Sequence, residues 1–174
     1  MSRSATFLAL AAFVLPAFAH KTTVDFDHGR HFSNYRTYSW AETPNPLSAD
    51  IPFPNQLMRQ RISSYIEEAL AARGYRRVPS NGDLLVSYQM EVSEEPVYTT
   101  IGDNWGWGWN DGISTTRLSM IYHGTLVVDM RDARQKQLVF QGVSTHTISS
   151  KPSRNSKKLA DAVEDIFSKY PPQL

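Results

Sequence analysis

Apolar and polar positions alternate along FSNYRTYSW, which places Tyr38 and Trp40 on one face and Thr37 and Ser39 on the other, so a half-buried strand is expected there. A shorter extended stretch, Val24 to Asp27, precedes it. Between 41 and 54 the chain carries Pro44, Pro46, Pro52 and Pro54, which fix φ and remove backbone donors, so a surface loop follows. From Asn55 the period changes. Met58, Ile62, Tyr65, Ile66, Ala69 and Leu70 recur three or four apart until Gly74, the mark of an amphipathic helix with a glycine stop. Asn81-Gly82 marks a turn, after which Leu84, Val86, Tyr88, Met90 and Val92 alternate with polar neighbours as a second strand. A third, from about Arg117 to Met130, sets Leu118, Met120, Tyr122, Leu126, Val128 and Met130 on one face, with Gly124 interrupting it as a bulge or a close packing contact. The polar turn DARQKQ leads to a hairpin partner from Leu138 to Ile148. Last, Leu159, Ala162, Val163, Ile166, Phe167 and Tyr170 form the stripe of a second amphipathic helix before Pro171-Pro172.

The order strand, helix, three strands, helix, with hairpin-length links among the late strands, predicts an α+β fold: an antiparallel or mixed sheet with two amphipathic helices packed on one face. The opposite face is left to solvent, loops or a partner. On the long strand it would display Arg117, Ser119, Ile121, His123, Thr125, Val127 and Asp129.

Composition narrows the compartment. Met1-Ser2-Arg3-Ser4 followed by an apolar run to Leu15 and then Ala17-Phe18-Ala19 reads as a secretory signal over residues 1–19, leaving a single domain at 20–174. The run is too short to span a bilayer, so no transmembrane segment is expected in the mature chain. Cleavage would remove Arg3 and no acid, so the 17 Asp+Glu would be matched by 17 Lys+Arg. A neutral chain with interspersed charges lacks the footprint of a nucleic-acid binder. There is no cysteine, which excludes disulfides, thiol nucleophiles and thiolate metal sites, so stability must come from a core.

Several short motifs occur in a familiar order: VDFD at Val24, FSNYRTYSW, RGY at Arg73, DLLVSY from Asp83, GTLVVDMRDA from Gly124, LVFQG from Leu138 and the closing YPP. In this order the chain resembles the domain of unknown function 4136 family of bacterial envelope proteins. The resemblance implies an exported α+β domain, often tethered as a lipoprotein, with no assigned activity. This chain has no cysteine to acylate, so residence in the periplasm, soluble or peripherally associated with the envelope, is expected instead.

The chemistry on offer is sparse, and no catalytic residue, metal ligand or cofactor is assigned. Gly142-Val143-Ser144-Thr145-His146 departs from a nucleophile elbow, although Ser144 and His146 share a strand face. Asp25 with Asp27 reads as turn capping, and Glu67 with Glu68 as a solvated helix face. Cleavage would make His20 the terminal residue, whose amine and ring suit copper, with His28 or His31 to complete an imidazole set. The feature of most interest is NWGWGWND, where Trp105, Trp107 and Trp109 are separated only by glycine. Either the rings tuck back onto the sheet, or they form an exposed site with Asn104, Asn110 and Asp111 supplying hydrogen bonds. The expectation is a non-catalytic interaction or structural module whose partner is an envelope component: protein, peptidoglycan or a lipid surface. Its rivals are glycan or other small-ligand binding through the Trp-rich segment, and a copper enzyme using His20.

Overall fold

The computed structural model describes residues 21–41, 56–102, 114–149 and 151–170. They form one six-stranded sheet and two helices. In chain order the elements are β1 (Lys21–Phe26), a single 3-10 turn (Phe32–Asn34), β2 (Thr37–Trp40), α1 (Gln56–Ala71), β3 (Arg76–Arg77), β4 (Leu84–Gly102), β5 (Ser114–Asp132), β6 (Leu138–Thr147) and α2 (Pro152–Ser168). The sheet order is β1-β6-β5-β4-β2-β3. β1, β6, β5 and β4 each run antiparallel to their neighbours in that order, while β2 runs parallel to both β4 and β3. The sheet is therefore mixed, and the fold is α+β as the residue pattern predicts.

Both apolar stripes do the work their spacing foretells. Ile62, Ile66 and Leu70 of α1 and Leu159, Ala162, Val163, Ile166 and Phe167 of α2 are buried, and they meet Leu84, Val86, Leu126, Val128, Met130 and Phe140 on one sheet face. Each of these side chains other than Ala162 contributes roughly 1.5–3 kcal/mol by leaving water. α2 seats closely because β6 offers a glycine where it crosses: a Cβ at Gly142 would lie 2.2 Å from Ile166 Cγ2. Gly124 owes its place to packing, since a Cβ there would meet Met90 at 3.3 Å and Ile148 at 3.4 Å. The bulge left open at Gly124 lies instead between Met130 and Arg131.

Polar side chains fasten the element ends. Asp83 accepts hydrogen bonds from the Arg36 N–H, the Thr37 N–H and the Thr37 hydroxyl, all at 2.9 Å, tying the start of β2 to the start of β4. Asn81 adopts φ 55° and Gly74 φ 81°, the left-handed values that the turn and the helix stop require. Tyr75 and Tyr170 share a 2.8 Å hydrogen bond inside an aromatic cluster with Phe32 and Phe140, and burial pushes the Tyr170 hydroxyl pKa up.

β4 continues past Val92, the last position of its clear alternation, to Gly102, paired with β5 at every position from Leu84↔Asp132 to Gly102↔Ser114. The sequence hides this because Pro96 and the Glu94-Glu95 pair interrupt the alternation. Proline is tolerated there because β4 is an edge strand at that point.

Candidate functional site

The long β4–β5 pair outruns the rest of the sheet. β2 stops at Trp40, opposite Val86, and β6 stops at Thr147, opposite His123. Beyond those points Glu94–Gly102 and Ser114–Tyr122 form a two-stranded ribbon flanked by no other described strand. At about 3.4 Å per residue it extends roughly 30 Å. Its helix-side face is the continuation of the core face by strand period, yet neither helix reaches it. Tyr98 is 68% exposed, Leu118 56%, Met120 45% and Tyr122 41%. The sequence reading set Leu118, Met120 and Tyr122 with the buried residues of β5. They do share that face, but they stand in solvent because α1 and α2 cover only the Leu126–Met130 end.

Tyr98 lies opposite Leu118, and Pro96 opposite Met120, so the exposed apolar groups are cross-strand neighbours. At the ribbon's root the track runs into a cavity of ≈ 40 Å³ lined by Met58, Met90, Leu126, Ser144, His146 and Ile148, among others. That volume holds a few waters or the tip of one side chain, well short of the ~300 Å³ of a small-molecule site. The connection between the ribbon strands is the segment holding Asn104, Trp105, Trp107, Trp109, Asn110 and Asp111, which lies outside the described residues, as does His20. The fourth tryptophan, Trp40, packs edge-on to Tyr38 and Tyr88 and donates its indole N–H to Glu67 at 3.0 Å.

Ser144 and His146 do come together, with Ser144 Oγ 3.1 Å from His146 Nε2 and 2.7 Å from the Thr22 hydroxyl. Ser144 is only 1% exposed. The small cavity that reaches it leaves no room for a substrate beside the hydroxyl. His28 and His31 follow β1, whereas Lys21, the neighbour of His20, opens that strand beside Thr145. Six extended residues span roughly 20 Å, which places those two histidines far from the strand's beginning. Among the described residues no group of three His, Cys, Asp or Glu is arranged to hold a metal ion.

The carboxylates have local duties. Asp27 accepts from the Gly29 N–H (2.9 Å) and from Arg30 Nε (3.1 Å), a turn role that lowers its pKa, mainly through the backbone bond. Glu67 is not simply solvated, since it also takes Arg77 at 2.8 Å. A polar hollow of ≈ 330 Å³ lies between the 3-10 turn and the β5–β6 turn. Its Asp132 receives the Tyr35 hydroxyl (3.0 Å) and the Arg134 and Gln135 N–H groups (2.8 Å each), while Arg30 binds Gln135 and Gln137. Those bonds satisfy one another and join two loops. Sequence reasoning missed this network because its members are far apart in the chain.

A family model for DUF4136, a domain of unknown function, matches residues 22–172, which takes in both helices and all of the sheet but its first residue, Lys21. The chain belongs to the DUF4136 family. Among solved structures, a DUF4136 family protein from Bacteroides thetaiotaomicron VPI-5482 aligns with a TM-score of 0.55 at 13% identity, covering 88% of this chain and 97% of that one. A PDZ domain protein from Parabacteroides distasonis ATCC 8503 aligns with a TM-score of 0.54 at 17% identity over 87% of this chain. The chain spans only 35% of that protein's length. At such identities the likeness shows the DUF4136 fold alone. No curated protein matches the sequence. Among the described residues of this DUF4136 chain, no helix is long and apolar enough to cross a membrane.

Proposed function

We propose that this DUF4136 protein is a non-catalytic interaction module of the cell envelope, residing in the periplasm, and that the helix-side face of the β4–β5 ribbon is its contact surface. One observation carries the reading: Tyr98, Leu118, Met120 and Tyr122 form a continuous apolar track on an element raised clear of the core. Contiguous exposed apolar surface of this kind is the usual mark of an interaction site. The adjoining sequence supports it, because Trp105, Trp107 and Trp109 extend the same apolar and aromatic character, with Asn104 and Asp111 as polar neighbours. The signal-like residues 1–19 support residence outside the cytoplasm. Burial of Ser144 beneath α2 supports a non-catalytic role.

The test uses a variant with Leu118, Met120 and Tyr122 all changed to Ser. Its unfolding curve should match the parent, while its binding to envelope fractions, followed by tryptophan fluorescence, should weaken at least tenfold. A stable variant that binds as tightly as the parent would refute the ribbon as the contact surface. Trp105, Trp107 and Trp109 changed together to Ala should give the same pair of results. A several kcal/mol loss of stability would instead mean that those rings cover the sheet. Stoichiometric copper in processed protein, lost on His20→Ala, would overturn the non-catalytic reading.

A further inference from the structure

The two long edges of the ribbon differ in kind. On the β4 side, Val86 accepts the Ala41 N–H, so its main-chain groups face outward, and strand period gives Pro96 the same direction. The proline thus sets its missing donor on the open edge, next to the exposed Glu94 and Glu95. Proline and charge are the devices that stop an edge from pairing. On the β5 side, Tyr122 accepts the Ile148 N–H at 2.6 Å, so by the same period Met120, Leu118 and Thr116 point their N–H and C=O groups outward past the end of β6. That edge, Ser114 to Ile121, reads STTRLSMI: it has no proline, no acid and one cation. No described strand occupies it.

We infer that the β5 edge of the ribbon pairs antiparallel with the β5 edge of a second copy of this chain, about a two-fold axis at Leu118. The inference rests on the ribbon being the contact element and names its first occupant. The register follows from the direction of the backbone groups. Leu118 exchanges both hydrogen bonds with its own copy, and Thr116 does so with Met120 of the copy. Both apolar faces then lie on the same side and merge into one wider stripe. Arg117, the only charge on the edge, falls opposite Ser119 of the copy, so no like charges meet. The end of β6 opposite His123 limits the pairing to the ribbon. Because the pairing is two-fold and uses the same edge of both copies, it closes as a dimer.

The chain has no cysteine, so single cysteines report the register cleanly. Residues exchanging hydrogen bonds lie about 5.5 Å apart at Cα, within disulfide range. Leu118→Cys should therefore cross-link to its copy on mild oxidation. Tyr98→Cys, on the same face but one strand further from the axis, should not. In analytical ultracentrifugation the parent should be dimeric in the micromolar range. Leu118→Pro should weaken that dimer at least a hundredfold while leaving the unfolding curve unchanged at dilutions where the parent is monomeric, because it removes a donor that β4 does not use. Where that variant fails to fold, Leu118→Lys and Leu118→Glu serve instead: each alone should be monomeric, and the two mixed should associate. A monomeric parent, a dimer that survives Leu118→Pro, cross-linking of Tyr98→Cys as fast as Leu118→Cys, or no association on mixing would each overturn the pairing. A monomeric parent whose serine variant still loses envelope binding would leave the ribbon reading intact. A dimer with undiminished envelope binding in that variant would do the reverse.

Discussion

Gly142 shows how one absent methyl group positions a helix. With Ile166 Cγ2 already where a Cβ would go, Gly142→Ala forces α2 outward and should cost about 1–3 kcal/mol in urea unfolding. Ile166→Ala in the same chain should recover part of that loss, and strict additivity of the two changes would contradict direct contact. Asp132 and Tyr35 should shape the acid and alkaline limbs of stability. The Gln135 N–H, with help from the Tyr35 hydroxyl, holds the Asp132 carboxyl below its ordinary 3.8, and the Arg36 N–H does the same for Asp83. A lowered folded pKa means that the contribution is complete above about pH 4 and is lost as pH falls further. Burial, reinforced by Asp132, pushes Tyr35 up to about 12 from 10.0, so its contribution is intact below pH 10 and fades as pH rises toward 12. Asp132→Asn should cost about 1–3 kcal/mol at neutral pH and flatten the acid limb. An acid limb identical to the parent's in a denaturation series would show that this carboxylate does not set it.

At the level of elements, a single strand divides into two regimes. Leu126→Asp, or Ile166→Asp on the facing helix, buries an unpaired charge and should abolish cooperative unfolding. Leu118→Asp, eight residues earlier on the same face of β5, should change stability by no more than about 0.5 kcal/mol at dilutions where the parent is monomeric. Equal losses at Leu126 and Leu118 would mean that the helices cover the whole face. Periodicity made both helices, the core half of β4, and β5 with β6 legible, because each buries one face against a partner and so must repeat at 3.6 or 2. It did not reveal where the helices stop covering the sheet, since Leu118 and Leu126 differ in their surroundings and not in type. The ribbon half of β4 escaped notice because Pro96 reads as a break, and only the β-branched and aromatic run Val97 to Ile101 hinted at a strand. β3, two exposed arginines, carries no pattern at all. Of the candidate contact residues, Trp105, Trp107 and Trp109 stand out by composition alone. Leu118, Met120 and Tyr122 stand out only by their exposure, which their residue types do not signal.

For the whole molecule, the pairing of β1 with β6 joins the two ends of the domain. The Thr22–Ser144 hydrogen bond connects positions 122 apart, and Lys169 of the closing turn reaches the Thr22 carbonyl at 2.5 Å. Such a contact gains nothing until nearly the entire chain exists, so relative contact order, and with it the loop-closure entropy, weighs on the folding rate. The β4–β5 hairpin is local and has no such delay. Pulse-labelling hydrogen exchange during refolding should therefore protect the amides of Leu85, Ser87, Gln89, Val127 and Asp129, which face across the β4–β5 pair, before those of Thr23 and Asp25, which face β6, and the reverse order would contradict it. A nascent chain that has not yet delivered Leu138–Thr147 has neither the neighbour of its first strand nor the helix that caps the core. The polypeptide thus stays open for most of its synthesis, the condition in which a chain is still able to be threaded.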